Sequence, residues 1–233
     1  IGKALAIELA RQEATIILLD IDKKSLQETK NQIEKQHNSV QAHICDITKS
    51  TEVKKLFTAI IRKNKKISGL IHCADNAKYQ PLQKLEEKDF DKHLQPHLKG
   101  LFIITNAIKE YFKKQQKGNI ITLASFSGLV GLEKNSLYSA INGGVLSYVK
   151  GLAVELSPYN INVNSVTAGI IATRMNELLL EDKKTRKKVL QNIPLNRIGT
   201  PEEVVSAILF LASTNAEFIT GQNIIVDGGL LAH

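Results

Sequence analysis

Residues 40–61, VQAHICDITKSTEVKKLFTAII, contain the repeating unit that decides the fold. Their first part, Val40–Cys45, has the length and the flanking residues of a short buried strand. Apolar side chains then recur at i, i+3, i+4, i+7 and i+8 between Val53 and Ile61, which is the spacing of an amphipathic helix. A strand followed by such a helix indicates a parallel sheet, because parallel strands need a long crossover connection.

The same alternation of strand and helix recurs about six times along the chain. The predicted strands are Thr15–Leu19, which ends at Asp20, then Val40–Cys45, Gly69–His72, Asn119–Leu123, Ile161–Val166 and Asn223–Val226. Their apolar runs are too continuous for a sheet that has one face exposed to solvent. The pattern therefore predicts an α/β fold, a doubly wound parallel sheet with helices on both faces. No linker or repeat interrupts residues 1–233, so we expect one domain, with the charged segment 174–200 as a lid over a site.

Composition excludes several classes of protein. The 233 residues are 43% hydrophobic, which excludes a disordered chain, and no apolar run approaches the length of a membrane span. The first residues lack the pattern of a secretory signal, so we expect a cytoplasmic protein with no membrane contact. Cys45 and Cys73 lie in apolar stretches, without the spacing of a zinc site or a disulfide framework, and are predicted to be buried thiols.

The chain is basic, with 31 Lys and Arg against 23 Asp and Glu and a net charge of +8. The excess gathers in 62–66, 113–117 and 183–188. A basic face can attract nucleic acid or acidic partners. No nucleic-acid motif accompanies these runs, so we predict no nucleic-acid binding and expect the lysines at helix ends, where they complement the helix dipole.

The first residues of the chain match the beginning of a helix that follows a glycine-rich turn. In a doubly wound sheet, that turn joins the central first strand to the first helix and binds phosphate. Ile1 and Gly2 would then be the end of the turn, and the first strand is predicted to be missing from this N-terminally truncated sequence. Alternatively, Gly2 is only a flexible end residue.

Several motifs, in order and at consistent spacing, resemble the short-chain dehydrogenase/reductase family. They are Asp46 after a strand, Ser125–Gly128 followed by Tyr138–Ala140, Asn162–Val166 leading to Gly169, Arg197–Val204, Phe218–Gln222 and Val226–Gly229. The resemblance extends over essentially the whole chain, and its C-terminal third is similar to 3-oxoacyl-(acyl carrier protein) reductases. It implies a Rossmann-type domain that binds a nicotinamide dinucleotide.

The resemblance implies a set of cofactor-binding residues. Asp20 would accept hydrogen bonds from the adenosine ribose and repel a 2′-phosphate, which favours NAD(H) over NADP(H). Asp20 could instead only cap the following helix. The other implied positions are Ile1, Gly2, Asp46, Ile47, Ala74, Asn142, Ile171 and Thr173. Asp46 could instead have only a structural role, and Thr173 could equally cap the next helix.

The implied chemistry is hydride transfer with a tyrosine that exchanges the proton of the substrate oxygen. Tyr138 matches that tyrosine, and Ser125 matches the serine that polarises the oxygen. The family places a lysine four residues after the tyrosine, where its charge favours phenolate. Asn142 stands at that position and carries no charge, so we expect turnover to fall by roughly 10²–10⁴-fold.

Two further departures surround the same site. The family's relay asparagine aligns with His97, and Pro96 before it should disturb the helix. An Asn-Asn-Ala-Gly strand end is replaced by 72–75, His-Cys-Ala-Asp, which is expected to bring Asp75 near the adenosine ribose and phosphates and to weaken binding. His72, Cys73, Asp75 and His97 match no metal-site spacing, so no metal is predicted.

The sequence thus favours an oxidoreductase that interconverts a secondary alcohol and a carbonyl with impaired catalysis, the first of three interpretations. The others are a catalytically silent homologue that serves as a scaffold or partner subunit, and a decayed fragment. The expected partners are a small carbonyl or alcohol substrate, an acyl carrier protein and further copies in a dimer or tetramer. Leu178–Leu180 in the lid would fit an acyl chain, a sugar or a steroid.

Overall fold

A computed structural model describes residues 1–36, 39–75, 80–177 and 181–232. The strands are β1 (Ile16–Asp20), β2 (Val40–Ile44), β3 (Gly69–His72), β4 (Gly118–Ser125), β5 (Ile161–Ala168) and β6 (Asn223–Val226). The helices are α1 (Gly2–Arg11), α2 (Lys23–Glu34), α3 (Ser50–Lys63), α4 (Glu87–Leu94), α5 (Gly100–Gln115), α6 (Ser136–Leu156), α7 (Lys183–Gln191) and α8 (Pro201–Ala212). The alternation of strands and helices follows the sequence pattern.

All the described strand pairs are parallel, as predicted. They form two ladders, β1–β2 and β3–β4–β5–β6, and no described ladder joins β1 to β3. In the longer sheet β4 pairs with β5 over its full length, from Gly118 opposite Ile161 to Ser125 opposite Ala168. The carboxyl ends of β4 and β5 therefore lie level with each other.

Helices cover both faces of the strands, which confirms the doubly wound arrangement. Successive residues of a strand point to opposite faces. Ile120 of β4 belongs to an apolar cluster with residues of α3, α5 and α6, whereas its neighbour Ile121 packs with residues of α1 and α8. Leu9 of α1 contacts this second cluster and also the cluster around β1 and α2, so α1 connects the two ladders.

The predicted disturbance at Pro96 is present as a π-helical turn, Gln95–Lys99, between α4 and α5. Proline has no N–H to donate, and its ring clashes with the carbonyl four residues earlier, so a regular helix cannot continue through it. The wider π turn keeps α4 and α5 continuous and shifts the side chain of His97 relative to both helices. Such turns are frequent at functional sites.

The prediction that the basic runs lie at helix ends is confirmed at two of three places. Arg62 and Lys63 are in the last turn of α3, and Lys113 is in the last turn of α5. The run 183–188 also includes a helix end, since α7 begins at Lys183, but most of its cations lie in the first turns and only Lys188 lies in the last turn, where the helix dipole favours a cation. Asp182 makes this possible by capping α7, its carboxylate accepting from Thr185 N at 2.7 Å.

The two cysteines are free thiols, Cys45 buried and Cys73 half-buried. Among the described residues, none of the helices has the length and apolar character needed to cross a membrane.

Candidate active site

The site predicted from the sequence lies along the carboxyl ends of the parallel strands, where doubly wound sheets bind ligands. Asp20 ends β1, Asp46 follows β2, Ala74 follows β3 and Ser125 ends β4. Thr173 lies in the connection after β5. The structure therefore aligns these five predicted residues along one edge.

Asp20 is exposed at the end of β1, and it does not cap α2. The cap is Asp22, whose carboxylate accepts from the backbone N–H groups of Lys24 at 2.9 Å and Ser25 at 3.3 Å. These bonds, and above all the bond from the Ser25 hydroxyl, lower the pKa of the Asp22 carboxyl. The capping alternative for Asp20 is thus wrong. Its carboxylate accepts one backbone N–H, from Asp22 at 2.9 Å, and otherwise faces solvent.

Asp46 and Ile47 both have structural contacts at the end of β2. Asp46 Oδ1 accepts from the hydroxyl of Thr48 at 2.6 Å and from its N–H at 3.0 Å, which lowers the pKa of the carboxyl. Ile47 packs so closely on α5 that a Cβ at Gly100 would lie 2.7 Å from its Cδ1. The adenine-binding role of both residues stays a prediction.

The remaining cofactor positions lie near the beginning of α1 and after β5. Ile1 is the N-cap residue of α1, and a Cβ added at Gly2 would lie 3.3 Å from the Cβ of Cys73, so this end of α1 approaches the end of β3. Ile171 is buried and bridges to Gly199. Thr173 precedes a short 3₁₀ turn, but its side chain makes no capping hydrogen bond there. The structure therefore does not support the alternative that Thr173 caps this turn.

Ser125 and the α6 helix are joined by Asn142. The Asn142 Oδ1 atom accepts from Ser125 N at 2.8 Å, and its Nδ2 atom donates to Tyr138 O at 3.0 Å. Asn142 is fully buried, so contact with a ribose would require its side chain to become accessible. Close packing makes the junction possible, because a Cβ at Gly128 would lie 2.8 Å from the backbone of α6.

Two buried histidines lie close together, His72 on β3 and His97 on the π-helical turn, with ring centroids 6.0 Å apart. The Nε2 atom of His72 is 3.2 Å from Pro96 O, and its Nδ1 atom is 3.2 Å from the Thr122 hydroxyl. Since a carbonyl only accepts, Nε2 carries the proton. Burial, and then the neighbouring His97, lower the pKa of His72 to about 3, so it is neutral. His72 thereby anchors the turn that carries His97.

Asp75 has contacts that sequence reasoning did not predict, because its carboxylate lies between the π-helical turn and α6. Its expected place near the adenosine ribose and phosphates stays a prediction. The Tyr138 hydroxyl donates to Asp75 Oδ2, and Asp75 Oδ1 lies 3.1 Å from His97 Nδ1. Tyr138 and His97 are themselves in edge contact, with ring centroids 6.4 Å apart. The only sequence signal for this cluster is that the departures at 72–75, 97 and 142 all fall on the same site.

The predicted lid consists of a 3₁₀ turn at Arg174–Asn176 and the helix α7. None of the α7 side chains is buried, and its first turns are basic. Leu178–Leu180, expected to form an apolar surface, lie outside the described residues. Within the described parts of the chain, no three His, Cys, Asp or Glu side chains are grouped as a metal site would require.

Comparison with known proteins gives consistent results across the chain. The family model described as enoyl-(acyl carrier protein) reductase matches residues 1–231. A 3-oxoacyl-[acyl-carrier-protein] reductase of Thermotoga maritima is 36% identical over 231 residues, which are 99% of this chain and 93% of that protein. An NAD-dependent glycerol dehydrogenase of Listeria innocua is 34% identical over 231 residues, covering 98% of this chain and 89% of its own length.

A solved structure gives the same fold. The gluconate 5-dehydrogenase of Burkholderia cenocepacia, in complex with NADP and tartrate, superimposes with a TM-score of 0.95 at 24% sequence identity. The superposition covers 100% of this chain and 91% of that one.

Proposed function

The chain belongs to the short-chain dehydrogenase/reductase family, and from that premise we propose that it interconverts a secondary alcohol and a carbonyl compound with NAD(H). The observation that carries this proposal is the junction at Asn142, which ties the strand end at Ser125 to the helix turn at Tyr138. It holds a hydroxyl and a phenol on adjoining elements at the ligand-binding edge of the sheet.

The proposed roles follow from the chemistry of these groups. Ser125 Oγ donates to the substrate oxygen and polarises it, while Tyr138 gives a proton to that oxygen in reduction and takes it in oxidation. The nicotinamide cofactor supplies or accepts the hydride when bound. Tyr138 is 6% exposed, so its proton is largely shielded from bulk water.

NAD(H) is the proposed cofactor because of the charges at the end of β1. The exposed carboxylate of Asp20 suits two ribose hydroxyls and repels a third phosphate, and Asp22 already occupies the N-terminal donors of α2. Lys23 and Lys24 oppose this preference. The test is the ratio of kcat/KM for NADH and NADPH, which we expect to favour NADH and to move toward NADPH in Asp20→Ser.

For the substrate, we propose a small carbonyl or alcohol, with an acyl group on an acidic carrier protein as the first class to assay. The support is the basic surface of α7, in the segment expected to form a lid, and the name of the Thermotoga maritima relative. Self-association into a dimer or tetramer is also proposed. Phe218 and Val154 lie fully or largely exposed in segments that resemble family contact surfaces, and sedimentation equilibrium tests this.

The function is tested by following NADH oxidation with a panel of carbonyl compounds, among them a 3-oxoacyl thioester, a cyclic ketone and a keto sugar. We expect turnover with at least one, and a loss of roughly 10²-fold or more in Tyr138→Phe. Tyr159→Phe is the matched control, since Tyr159 precedes β5 and so lies at the opposite edge of the sheet. No turnover with any compound and either dinucleotide would instead favour the silent homologue.

A further inference from the structure

The Asp75 carboxylate bridges a phenol and an imidazole. One of its oxygens accepts the Tyr138 hydroxyl, and the other is 3.1 Å from His97 Nδ1. The Asp75 side chain is 16% exposed and that of His97 3% exposed, so the interaction is poorly screened by water. Both ring nitrogens of His97 are buried without a hydrogen-bond partner among the described residues, so the short contact of Nδ1 with Asp75 is one of position and not an aligned hydrogen bond.

A tyrosine can work as a base at neutral pH in two ways. A nearby cation can stabilise its phenolate, or a base beside it can remove the phenolic proton while the substrate proton arrives. Asn142 offers no cation, and its two polar atoms bind backbone groups. Asp75 is a base on the phenolic proton itself, so the second way is built into this site.

We propose that Asp75 is the proton acceptor of Tyr138 in a proton relay, and that His97, beside the other carboxylate oxygen, positions Asp75. This inference rests on the proposed function, and it assigns Asp75 as a proton-holding residue and His97 as a positioning residue, both acting through Tyr138. The relay replaces phenolate stabilisation by proton transfer, so the phenolate never has to exist as a free species.

In oxidation, the substrate alcohol loses a hydride to the cofactor and a proton to the protein. The alcohol C–H bond breaks and its electron pair leaves as hydride to NAD⁺, which is reduced, while the C=O bond forms. The alcohol proton moves to Tyr138 Oη as the phenolic proton moves to Asp75 Oδ2, which holds it. In reduction the same proton returns from Asp75 through Tyr138 to the substrate oxygen.

The titratable groups around Asp75 come from three elements. Tyr138 is on α6, His97 is on the π-helical turn and His72 is on β3. His72 and His97 have ring centroids 6.0 Å apart, and His72 is neutral because of its burial.

The first test compares the pH dependence of alcohol oxidation in wild type and Asp75→Asn. We expect kcat to fall by roughly 10²-fold or more, because the isosteric amide cannot take a proton. The remaining rate should keep rising toward pH ~10, where a phenol ionises unaided, whereas the wild-type rate levels off at lower pH. Asp75→Glu, which keeps the carboxylate, should recover part of kcat. Asp91→Asn, an exposed aspartate of α4, is the matched control and should match wild type.

The second test needs neither cofactor nor turnover. The phenolate absorbance of wild type minus that of Tyr138→Phe isolates one of the five tyrosines. With Asp75 beside it, Tyr138 should ionise at a higher pH than it does in Asp75→Asn, since an anion opposes a second negative charge. Equal ionisation in the two proteins overturns the proposal, whatever the activity.

The two tests separate the relay from the function it rests on. Turnover with an unchanged kcat and pH profile in Asp75→Asn overturns the relay and leaves the oxidoreductase function intact. Absence of turnover in wild type and in Asp91→Asn alike overturns the function. Thermal melting of each variant shows whether a loss of kcat reflects unfolding. The partial recovery of kcat in Asp75→Glu tests the need for a carboxylate independently of the Asp75→Asn variant.

Discussion

The uncharged side chain of Asn142 has a structural role, because it binds backbone atoms of two parts of the site. Its side chain accepts from Ser125 N and donates to Tyr138 O, and the residue is fully buried. Removing such a side chain would leave the part-buried Ser125 N–H without its acceptor, a loss of about 1–3 kcal/mol. The residue at this position is therefore under structural constraint independent of catalysis.

Asn142→Lys tests whether a missing cation limits Tyr138. We expect no gain in kcat, because the relay through Asp75 already takes the phenolic proton and the lysine removes the Ser125 acceptor. Turnover by stopped-flow or steady-state assay, with thermal melting as the control for folding, checks this. A rise of roughly 10²-fold or more would show that the cation alone sets the rate and would contradict the relay.

At the scale of elements, the 3₁₀ turn after β4 packs tightly on α6 at Gly128. A Cβ there would lie 2.8 Å from the Asn142 carbonyl carbon and from Gly143 N, both backbone atoms that cannot move aside alone. We therefore expect Gly128→Ala to lower the free energy of unfolding by about 1–3 kcal/mol and to reduce activity. Chemical denaturation measures the first effect.

Gly131→Ala is the matched control for that substitution, since a Cβ at Gly131 meets nothing within 4 Å. Its free energy of unfolding should stay within about 0.5 kcal/mol of wild type. Equal effects of the two substitutions would show that the contact between the turn and α6 is looser than the structure indicates.

The beginning of α8 carries a second local prediction, on pH. Glu203 accepts from Thr200 N at 2.9 Å, and Arg197 binds its two oxygens at 2.5 and 2.8 Å, which lowers the pKa of the carboxyl to about 2. A carboxyl whose pKa is lower in the folded state stabilises the fold above its unfolded pKa, and that stabilisation is lost as the pH falls through the folded value.

Glu203→Gln should therefore be less stable than wild type at neutral pH, with the difference shrinking from about pH 4.5 down to about pH 2. Melting temperatures across that range measure it. Glu202→Gln loses the same charge from the same helix turn without breaking these bonds, so its difference from wild type should depend less on pH. A Glu203→Gln difference that stays constant down to pH 2 would contradict this account.

The strands and most helices could be predicted because their signals are local. The six strand segments and the disturbance at Pro96 follow from short-range periodicity and from the missing N–H of proline. The contact between Asp75 and Tyr138 could not, because the two residues are 63 positions apart and meet only through the packing of the π-helical turn. The division of the strands into two ladders likewise depends on long-range pairing.

At the scale of the whole molecule, apolar packing connects β1–β2 to the other four strands, and no ladder joins them among the described residues. Leu9 of α1 contacts the apolar clusters on both sides, and Leu19 of β1 packs against the cluster that contains α3 and α5. The proposed site residues are distributed in the same way, with the cofactor positions Asp20 and Asp46 beside one ladder and the substrate-polarising Ser125 beside the other. A dinucleotide bound along this edge would contact both parts.

Binding of NADH should consequently stabilise the whole fold in one cooperative transition. A ligand that binds only the folded state adds RT ln(1 + [L]/Kd), about 2.7 kcal/mol at a hundredfold excess over Kd. Calorimetric melting with and without NADH measures this, and NADPH is the matched control, since the Asp20 carboxylate should make its effect smaller. A melting temperature unchanged by NADH would mean that the edge does not bind the dinucleotide. A rise in only one of two separate transitions would mean that the ladders melt independently, and that the site does not connect them.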